Sequence, residues 1–349
     1  MDFIQDTLIN WYAENRRDLP WRHHPTPYQV WLSEVILQQT RVNQGWDYYL
    51  RFVERWPTIV DLATATEEEV LKMWQGLGYY SRARNLHQCA KQIVEHYNGE
   101  FPPDYEQLKK LKGVGDYTAA AIASIAFNLP HAVVDGNVYR VLSRLFDIDT
   151  PINTNKGQQL FARIAQELLN RKRPGLHNQA MMEFGALQCT PKNPNCMLCP
   201  LQHRCLAFER QTVMQRPVKI AKTVVTTRHF NYLVFKIQDK VYLHKRAAND
   251  IWKNLYDFPC IESEKTMSVE DVLTSDEFRQ LVGKQTFIVA RTSQVFTHKL
   301  THRTILAQFI EIKLSQELLQ IETKGLFLTP ERDLGNYPIP RLIDLYLTT

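Results

Sequence analysis

Apolar residues recur at three- and four-residue intervals through the first two-thirds of the chain, the spacing of helices that bury one face. In residues 82–97, Leu86, Ala90, Ile93, Val94 and Tyr97 share such a face, and Asn98-Gly99 supplies the stop. Residues 28–39 follow Pro25 and Pro27 with helix formers throughout. Residues 67–75 begin with three glutamates, which suit the positive end of a helix, and run into Gly76-Leu77-Gly78. Further helices are predicted near 104–111, 116–128, 137–147, 156–170 and 177–187. The pattern then changes. Residues 214–227 carry no helical stripe and read as a linker, and 228–246 show β-branched and aromatic residues around Gln238-Asp239-Lys240, which predicts a hairpin. Strands are expected at 287–297 and 303–312, helices at 268–282 and 339–347. The expected fold class is mainly α over the N-terminal two-thirds plus a C-terminal α/β domain. The expected divisions are 1–217, a linker at 218–227, and 228–349.

Composition narrows the function classes. With 349 residues the prior is two domains, and 44% apolar with 23% charged residues excludes a disordered or collagen-like chain. The longest nearly uncharged apolar stretch, 117–132, is shorter than a membrane span and contains Pro130. The first residues, Met1-Asp2-Phe3-Ile4-Gln5-Asp6, lack the basic and apolar regions of a signal peptide, so a soluble, cytoplasmic protein without membrane contact is expected. Net charge is +5, with 24 basic against 22 acidic residues through position 217, so any polyanion site must come from local geometry.

Four of the six cysteines fall within 17 residues, spaced Cys189-x6-Cys196-x2-Cys199-x5-Cys205. Pro191, Pro194 and Pro200 forbid continuous helix there, which lets the backbone wrap the thiols around one centre. A four-cysteine zinc and a four-iron cluster both fit thiolate ligation. Paired zinc knuckles show two Cys-x2-Cys units, whereas this segment has one. The spacing resembles the 4Fe–4S loop of the endonuclease III superfamily of DNA glycosylases, and the resemblance implies a 4Fe–4S cluster on Cys189, Cys196, Cys199 and Cys205.

Leu111-Lys112-Gly113-Val114-Gly115-Asp116 joins two predicted helices through a glycine-rich turn, whose amides at a helix start suit a phosphate oxygen. An ordinary helical turn capped by glycine is the alternative. Beside the cysteine loop, the segment resembles the helix-hairpin-helix of the same superfamily, which implies DNA-phosphate contacts at Lys112, Gly113, Val114 and Gly115. Superfamily members often carry proline where this chain has Lys112.

Two carboxylates stand out. Glu34 has apolar residues on nearly every side of its predicted helix, so lost hydration should raise its pKa and make it a general acid near neutrality. A surface glutamate facing solvent beside Ser33 is the alternative. Asp135 precedes Gly136-Asn137 and a predicted helix, where an N-cap is the plain reading and a fixed anion the functional one. An acid on the leaving group and an anion near the sugar carbon suit an oxocarbenium-like transition state.

Leu19-Pro20-Trp21-Arg22, Trp31-Leu32-Ser33-Glu34-Val35, Leu37-Gln38-Gln39-Thr40, Gly76-Leu77-Gly78-Tyr79-Tyr80 and Val134-Asp135-Gly136-Asn137-Val138 look like segments of the MutY-type adenine DNA glycosylases. The resemblance covers the first 217 residues almost continuously. It implies a monofunctional glycosylase of base excision repair that flips and excises adenine opposite 8-oxoguanine or guanine. Glu34 and Asp135 would carry the chemistry, and Tyr117 and Asn137 would position them. The adenine pocket would form at Arg17, Leu19, Trp21 and Arg22, with Gln39 and Tyr79 wedged into the duplex. Superfamily members that cleave the strand carry a lysine where this chain has Tyr117, so the amine nucleophile is missing. The partner implied is double-stranded DNA holding 8-oxoguanine:A or G:A, bound by a monomer.

The C-terminal stretch Ile251-Trp252-Lys253-Asn254-Leu255-Tyr256-Asp257-Phe258-Pro259 looks like the family's Nudix-like domain, but no glutamate-rich array follows Pro259. Recognition is therefore expected rather than hydrolysis. Phe296-Thr297-His298-Lys299-Leu300-Thr301-His302 resembles the family loop that contacts 8-oxoguanine, with Leu300 standing where a phenylalanine is usual. The resemblance implies that Thr301 and His302 touch the lesion. A bifunctional glycosylase-lyase is disfavoured by Tyr117 and this domain, and a non-catalytic DNA binder by the paired Glu34 and Asp135.

Overall fold

The protein was analysed as a computed structural model that describes residues 2–23, 25–220, 225–247, 251–300, 302–318 and 325–349. Its residues divide into two units, one of 1–65 with 84–221 and one of 66–83 with 222–349. Residues 66–83, which the sequence reading groups with the helical segment, pack with the C-terminal one.

The first unit is helical, with α1 (Asp2–Asn15), α2 (Pro27–Leu37), α3 (Val42–Arg55) and α4 (Ile59–Thr64) at its start. After α5 (Glu67–Met73), which belongs to the second unit, come α6 (Ser81–Tyr97), α7 (Tyr105–Lys110), α8 (Asp116–Phe127), α9 (Gly136–Leu145), α10 (Asn155–Leu168), α11 (Pro174–Leu187) and the short α12 (Leu206–Glu209). Local sequence explains the starts. Thr26 and Gln29 form a capping box around Pro27 at the first turn of α2, and Thr58 with Asp61 does the same for α4. Helix α8 is buried from Thr118 through Ser124 and packs against α2, α7 and α11, so it forms the middle of the unit. A core of Leu8, Tyr12, Val141, Leu142, Phe161 and Phe184 joins α1, α9, α10 and α11.

The second unit is a mixed sheet of β1 (Thr226–Ile237), β2 (Lys240–Lys245), β3 (Tyr256–Asp257), β4 (Cys260–Ser263), β5 (Phe287–Thr292), β6 (Phe296–Lys299), β7 (Arg303–Leu314) and β8 (Leu326–Pro330). Strand β1 runs parallel to β7, and all other pairings are antiparallel. Residues 230–235 of β1 are buried without alternation because both faces are covered. Helices α13 (Val269–Thr274) and α14 (Asp276–Val282) pack Val272, Phe278 and Val282 on Leu233, Phe235 and Ile312. Helix α15 (Arg341–Leu347) stacks Tyr346 on Phe309, with ring centroids 4.0 Å apart.

The expected fold class holds, with local differences. The single helix expected at 268–282 is two, because Ser275 turns extended and its hydroxyl caps α14. The expected linker is anchored at its start, where the Ile152 amide donates to the Val218 carbonyl at 3.0 Å and the Ile220 amide to Asn153 Oδ1 at 3.0 Å. Helices α1, α3 and α4 were not among the predicted elements.

Candidate active site

Helix α2 carries Glu34 into the interior of the first unit. Val30, Trp31, Leu32, Val35 and Ile36 around it are buried. Ser33 is buried too, with its hydroxyl donating to the Val30 carbonyl at 2.8 Å, so Glu34 does not lie on a solvent-facing stripe. Glu34 as a residue is half-buried. That burial pushes its pKa up to about 7, with the neighbouring Asp135 charge raising it further and the Tyr117 hydroxyl and Arg22 opposing.

Three other expected residues converge here. Tyr117, at the start of α8, donates its hydroxyl to Glu34 Oε2 at 2.6 Å and lies 3.6 Å from Met182 Sδ. Burial raises the phenol well above its ordinary pKa, so it remains a donor. Asp135 caps α9, accepting from the Val138 amide at 2.7 Å, and its other oxygen accepts from Asn137 Nδ2 at 2.7 Å. The plain and functional readings of Asp135 thus share one geometry. Burial raises its pKa, and these hydrogen bonds together with Arg140 oppose the rise. Asn137 is itself oriented, because its Oδ1 accepts from Arg140 Nη2 at 2.8 Å. Gly185 lies against it: a Cβ there would sit 2.6 Å from that of Asn137.

Sequence reading missed Glu183. This side chain on α11 is 1% exposed and accepts from the Arg17 amide, Nε and Nη2 and from Arg22 Nη1 and Nη2, at 2.7–3.1 Å. Burial would raise its pKa, but the hydrogen bonds from Arg17 and Arg22 outweigh that and hold it down at about 2. The two arginines expected in the adenine pocket are therefore ion-paired to Glu183. Leu19 and Trp21 are buried, and Trp21 packs edge-on against Tyr49 and Trp46.

The four clustered cysteines line one cavity with Arg144, Gln188, Pro194, Phe208 and Val213. None is in a disulfide. Among the described residues, no three His, Cys, Asp or Glu side chains converge as ligands of a single ion. Four thiols lining one cavity fit the thiolate ligation of a four-iron cluster, in which each cysteine binds a different iron. Burial, with repulsion among the thiols, raises Cys196, Cys199 and Cys205, the second up to about 11, so the set calls for positive charge at its centre. Arg144, 2% exposed, donates to the Thr190 carbonyl at 2.7 Å and to Cys189 Sγ at 3.3 Å. Arg140 donates to the Cys189 carbonyl at 2.8 Å, which ties the loop to Asn137.

Comparison with known proteins agrees with this geometry. The pattern of the HhH-GPD superfamily of base excision DNA repair proteins matches residues 32–169. That of the iron-sulfur binding domain of endonuclease III matches 189–205, and that of the NUDIX domain 231–349. An adenine DNA glycosylase of Buchnera aphidicola (subsp. Schizaphis graminum) is 31% identical over 348 residues, covering 97% of each chain. The chain belongs to the adenine DNA glycosylase family. The Homo sapiens adenine DNA glycosylase is 48% identical over 217 residues, 59% of this chain and 40% of the human one. The structure of a thermostable thymine-DNA glycosylase aligns with TM-score 0.56 and 28% identity over 60% of this chain and 96% of that one. The protein is thus a base excision repair glycosylase with DNA as its partner, and Cys189, Cys196, Cys199 and Cys205 hold a 4Fe–4S cluster. No helix among the described residues is long and apolar enough to cross a membrane.

The remaining expected site residues of the glycosylase lie on turns. In the hairpin between α7 and α8, Gly113 has φ +76°, and a Cβ there would stand 2.7 Å from Asn85 Cβ. The Lys112 amide donates to Gln92 Oε1 at 2.9 Å and the Val114 amide to the Leu111 carbonyl at 3.1 Å, so these two are committed to the hairpin. Gly115 is the N-cap of α8 and supplies no side-chain cap to the amides of its first turn. Gln39 and Tyr79 are exposed at left-handed φ of 55° and 48°. At 48% exposure Tyr79 is no core tyrosine. His302 is exposed at the turn joining β6 to β7, where the Leu300 amide donates to the Arg303 carbonyl at 2.7 Å. Thr301 lies outside the described residues.

Proposed function

We propose that the glycosylase releases adenine paired with 8-oxoguanine or guanine by hydrolysing its N-glycosidic bond, after the nucleotide has swung out of the duplex. The observation that carries this reading is the Glu34–Tyr117 hydrogen bond of 2.6 Å, made by a buried carboxyl that also feels the Asp135 charge. Two carboxyls of unequal environment in one field divide the acid and anion roles. Glu34, neutral near pH 7, donates its proton to N7 of adenine. The C1′–N9 bond then breaks with its electron pair passing to the base. Asp135 stabilises the positive sugar, and water adds to C1′ as Glu34 recovers a proton. Tyr117 keeps one Glu34 oxygen occupied and leaves the other for the base. With a phenol at position 117, the strand-cleaving amine route has no nucleophile there. An intrahelical sugar is out of reach of both carboxyls, which is why eversion belongs to the reading.

Residues 1–217 would form the glycosylase part and 228–349 the part that reads the lesion, with Thr301 and His302 at the β6–β7 turn as its contacts. The amides at the start of α8 would hold a phosphate of a duplex bound by one monomer, and Gln39 and Tyr79 would enter the stack. A 4Fe–4S cluster on Cys189, Cys196, Cys199 and Cys205 would cross-link the loop 189–205. An oligonucleotide duplex with 8-oxoguanine:A tests the reading on a gel, with and without alkali. Adenine-strand cleavage only after alkali is expected. Cleavage without alkali would indicate a lyase, and none at all a binding protein; either result overturns the proposal.

A further inference from the structure

Tyr79 sits in residues 66–83, which share their packing with residues 222–349. The turn that presents it is tightly determined. Gly76 and Gly78 have φ of 100° and 71°, and the chain stays left-handed at Tyr79. Trp74, fully buried, donates Nε1 to the Gly78 carbonyl at 3.0 Å. Arg82 Nη2 reaches the Leu77 and Gly78 carbonyls at 3.4 and 3.3 Å, with its guanidinium 4.9 Å from the Trp74 ring and 5.8 Å from that of Tyr79.

This turn is seated on the strap Tyr337-Pro338-Ile339-Pro340. Lys72 Nζ donates to the Tyr337 carbonyl at 3.0 Å, and the Ile339 amide donates to Gln75 Oε1 at 3.4 Å. The hydroxyl of Tyr80, the residue next to Tyr79, donates to the Ile339 carbonyl at 3.2 Å, with both residues buried. The two prolines hold the strap extended, so its carbonyls form a fixed edge. A second anchor lies at the other end of α5, where Tyr256 Oη donates to Glu68 Oε2 at 2.8 Å and Lys245 Nζ stands 3.5 Å from it.

We propose that Tyr80 is a positioning residue for Tyr79: through its bond to Ile339, the C-terminal strap sets where the exposed ring meets DNA. The inference rests on the reading of Tyr79 as the side chain that enters the duplex. Local constraints from Trp74 and Arg82 shape the turn, while the strap fixes its height. A strained, exposed conformation persists only where its surroundings over-determine it, and Tyr80, next to the strained residue, reaches out of the turn to Ile339.

The test is a binding cycle in the full-length protein, with a duplex holding an uncleavable 2′-fluoro adenine analogue opposite 8-oxoguanine. Tyr79→Ala should weaken binding about tenfold, the loss of one stacked contact. Tyr80→Phe should weaken it about fivefold, the effect of one buried hydrogen bond, and should weaken Tyr79→Ala no further. Gln75→Leu, which breaks the other bond of the turn to Ile339, should show the same dependence on Tyr79. A Tyr80→Phe protein that binds like wild type overturns the proposal. So does a loss of equal size in the Tyr79→Ala background, which would mean that Tyr80 acts independently of the ring. Wild-type binding by Tyr79→Ala would instead overturn the underlying reading of that side chain.

Discussion

Glu34 shows how a helix interior can store a proton. Its folded pKa of about 7 lies above the ordinary 4.5, so the native state favours the protonated form. The resulting stabilisation is full below about pH 4.5 and is lost as pH rises through 7. Glu34→Gln removes this dependence, so at pH 8 its thermal midpoint should equal or exceed that of wild type. A midpoint several degrees lower at pH 8 would contradict the burial argument. Glu183 behaves oppositely, since two arginines keep it ionised. Glu183→Ala should cost about 3 kcal/mol in denaturant unfolding, because it strands two guanidiniums around a buried site. Arg22 would then act on Glu34 with less opposition and lower its pKa, so the alkaline limb of the activity profile should move to lower pH; an unmoved limb would sever that link. Glu34 was legible in the sequence because its apolar neighbours lie within one helical turn on either side. Glu183 was not, because its partners Arg17 and Arg22 stand 166 and 161 positions away.

At the scale of elements, the proposed function puts the DNA-facing chemistry on turns that helices hold. Gly113→Ala places a side chain at φ +76° against Asn85, at a cost of about 1–3 kcal/mol of local strain. Binding to undamaged and lesion-bearing duplexes should weaken by the same factor, with a salt dependence shallower by about one phosphate. Fluorescence anisotropy at two salt concentrations measures both, and a loss confined to the lesion duplex would remove the hairpin from phosphate binding. Helix α2 could be read from Pro25, Pro27 and the helix formers after them, whereas α1 and α3 were not picked out. The buried positions of α3 are Gly45, Tyr49 and Phe52, a sparse stripe among charges that gains meaning only once Trp21 is seen packing on Tyr49. The helix expected over 268–282 hid a break because serine serves equally as helix residue and cap.

The whole molecule joins a glycosylase fold to a Nudix-type sheet; the change of pattern near residue 214 announced only a helical part followed by an α/β part, and the family motifs supplied the rest. What no local pattern could announce is that residues 66–83 pack with the sheet, since bonds such as Tyr80 to Ile339 span 259 positions. If the turn between β6 and β7 reads the opposite base, replacing Thr301 and His302 together by alanine should shrink the preference for 8-oxoguanine:A over G:A about tenfold, as two lost polar contacts would. Single-turnover rates on the two duplexes measure this, and an unchanged ratio would exclude the turn. The central claim is that a neutral Glu34 gives its proton to an everted adenine. The pH dependence of single-turnover adenine release by the full-length protein tests it most directly. The rate should hold between about pH 6 and 7 and then fall tenfold per unit, and Glu34→Gln should lie about 10²–10⁴-fold lower without that limb. A wild-type rate that stays level to pH 9, or a Glu34→Gln protein releasing adenine at the wild-type rate, would contradict it.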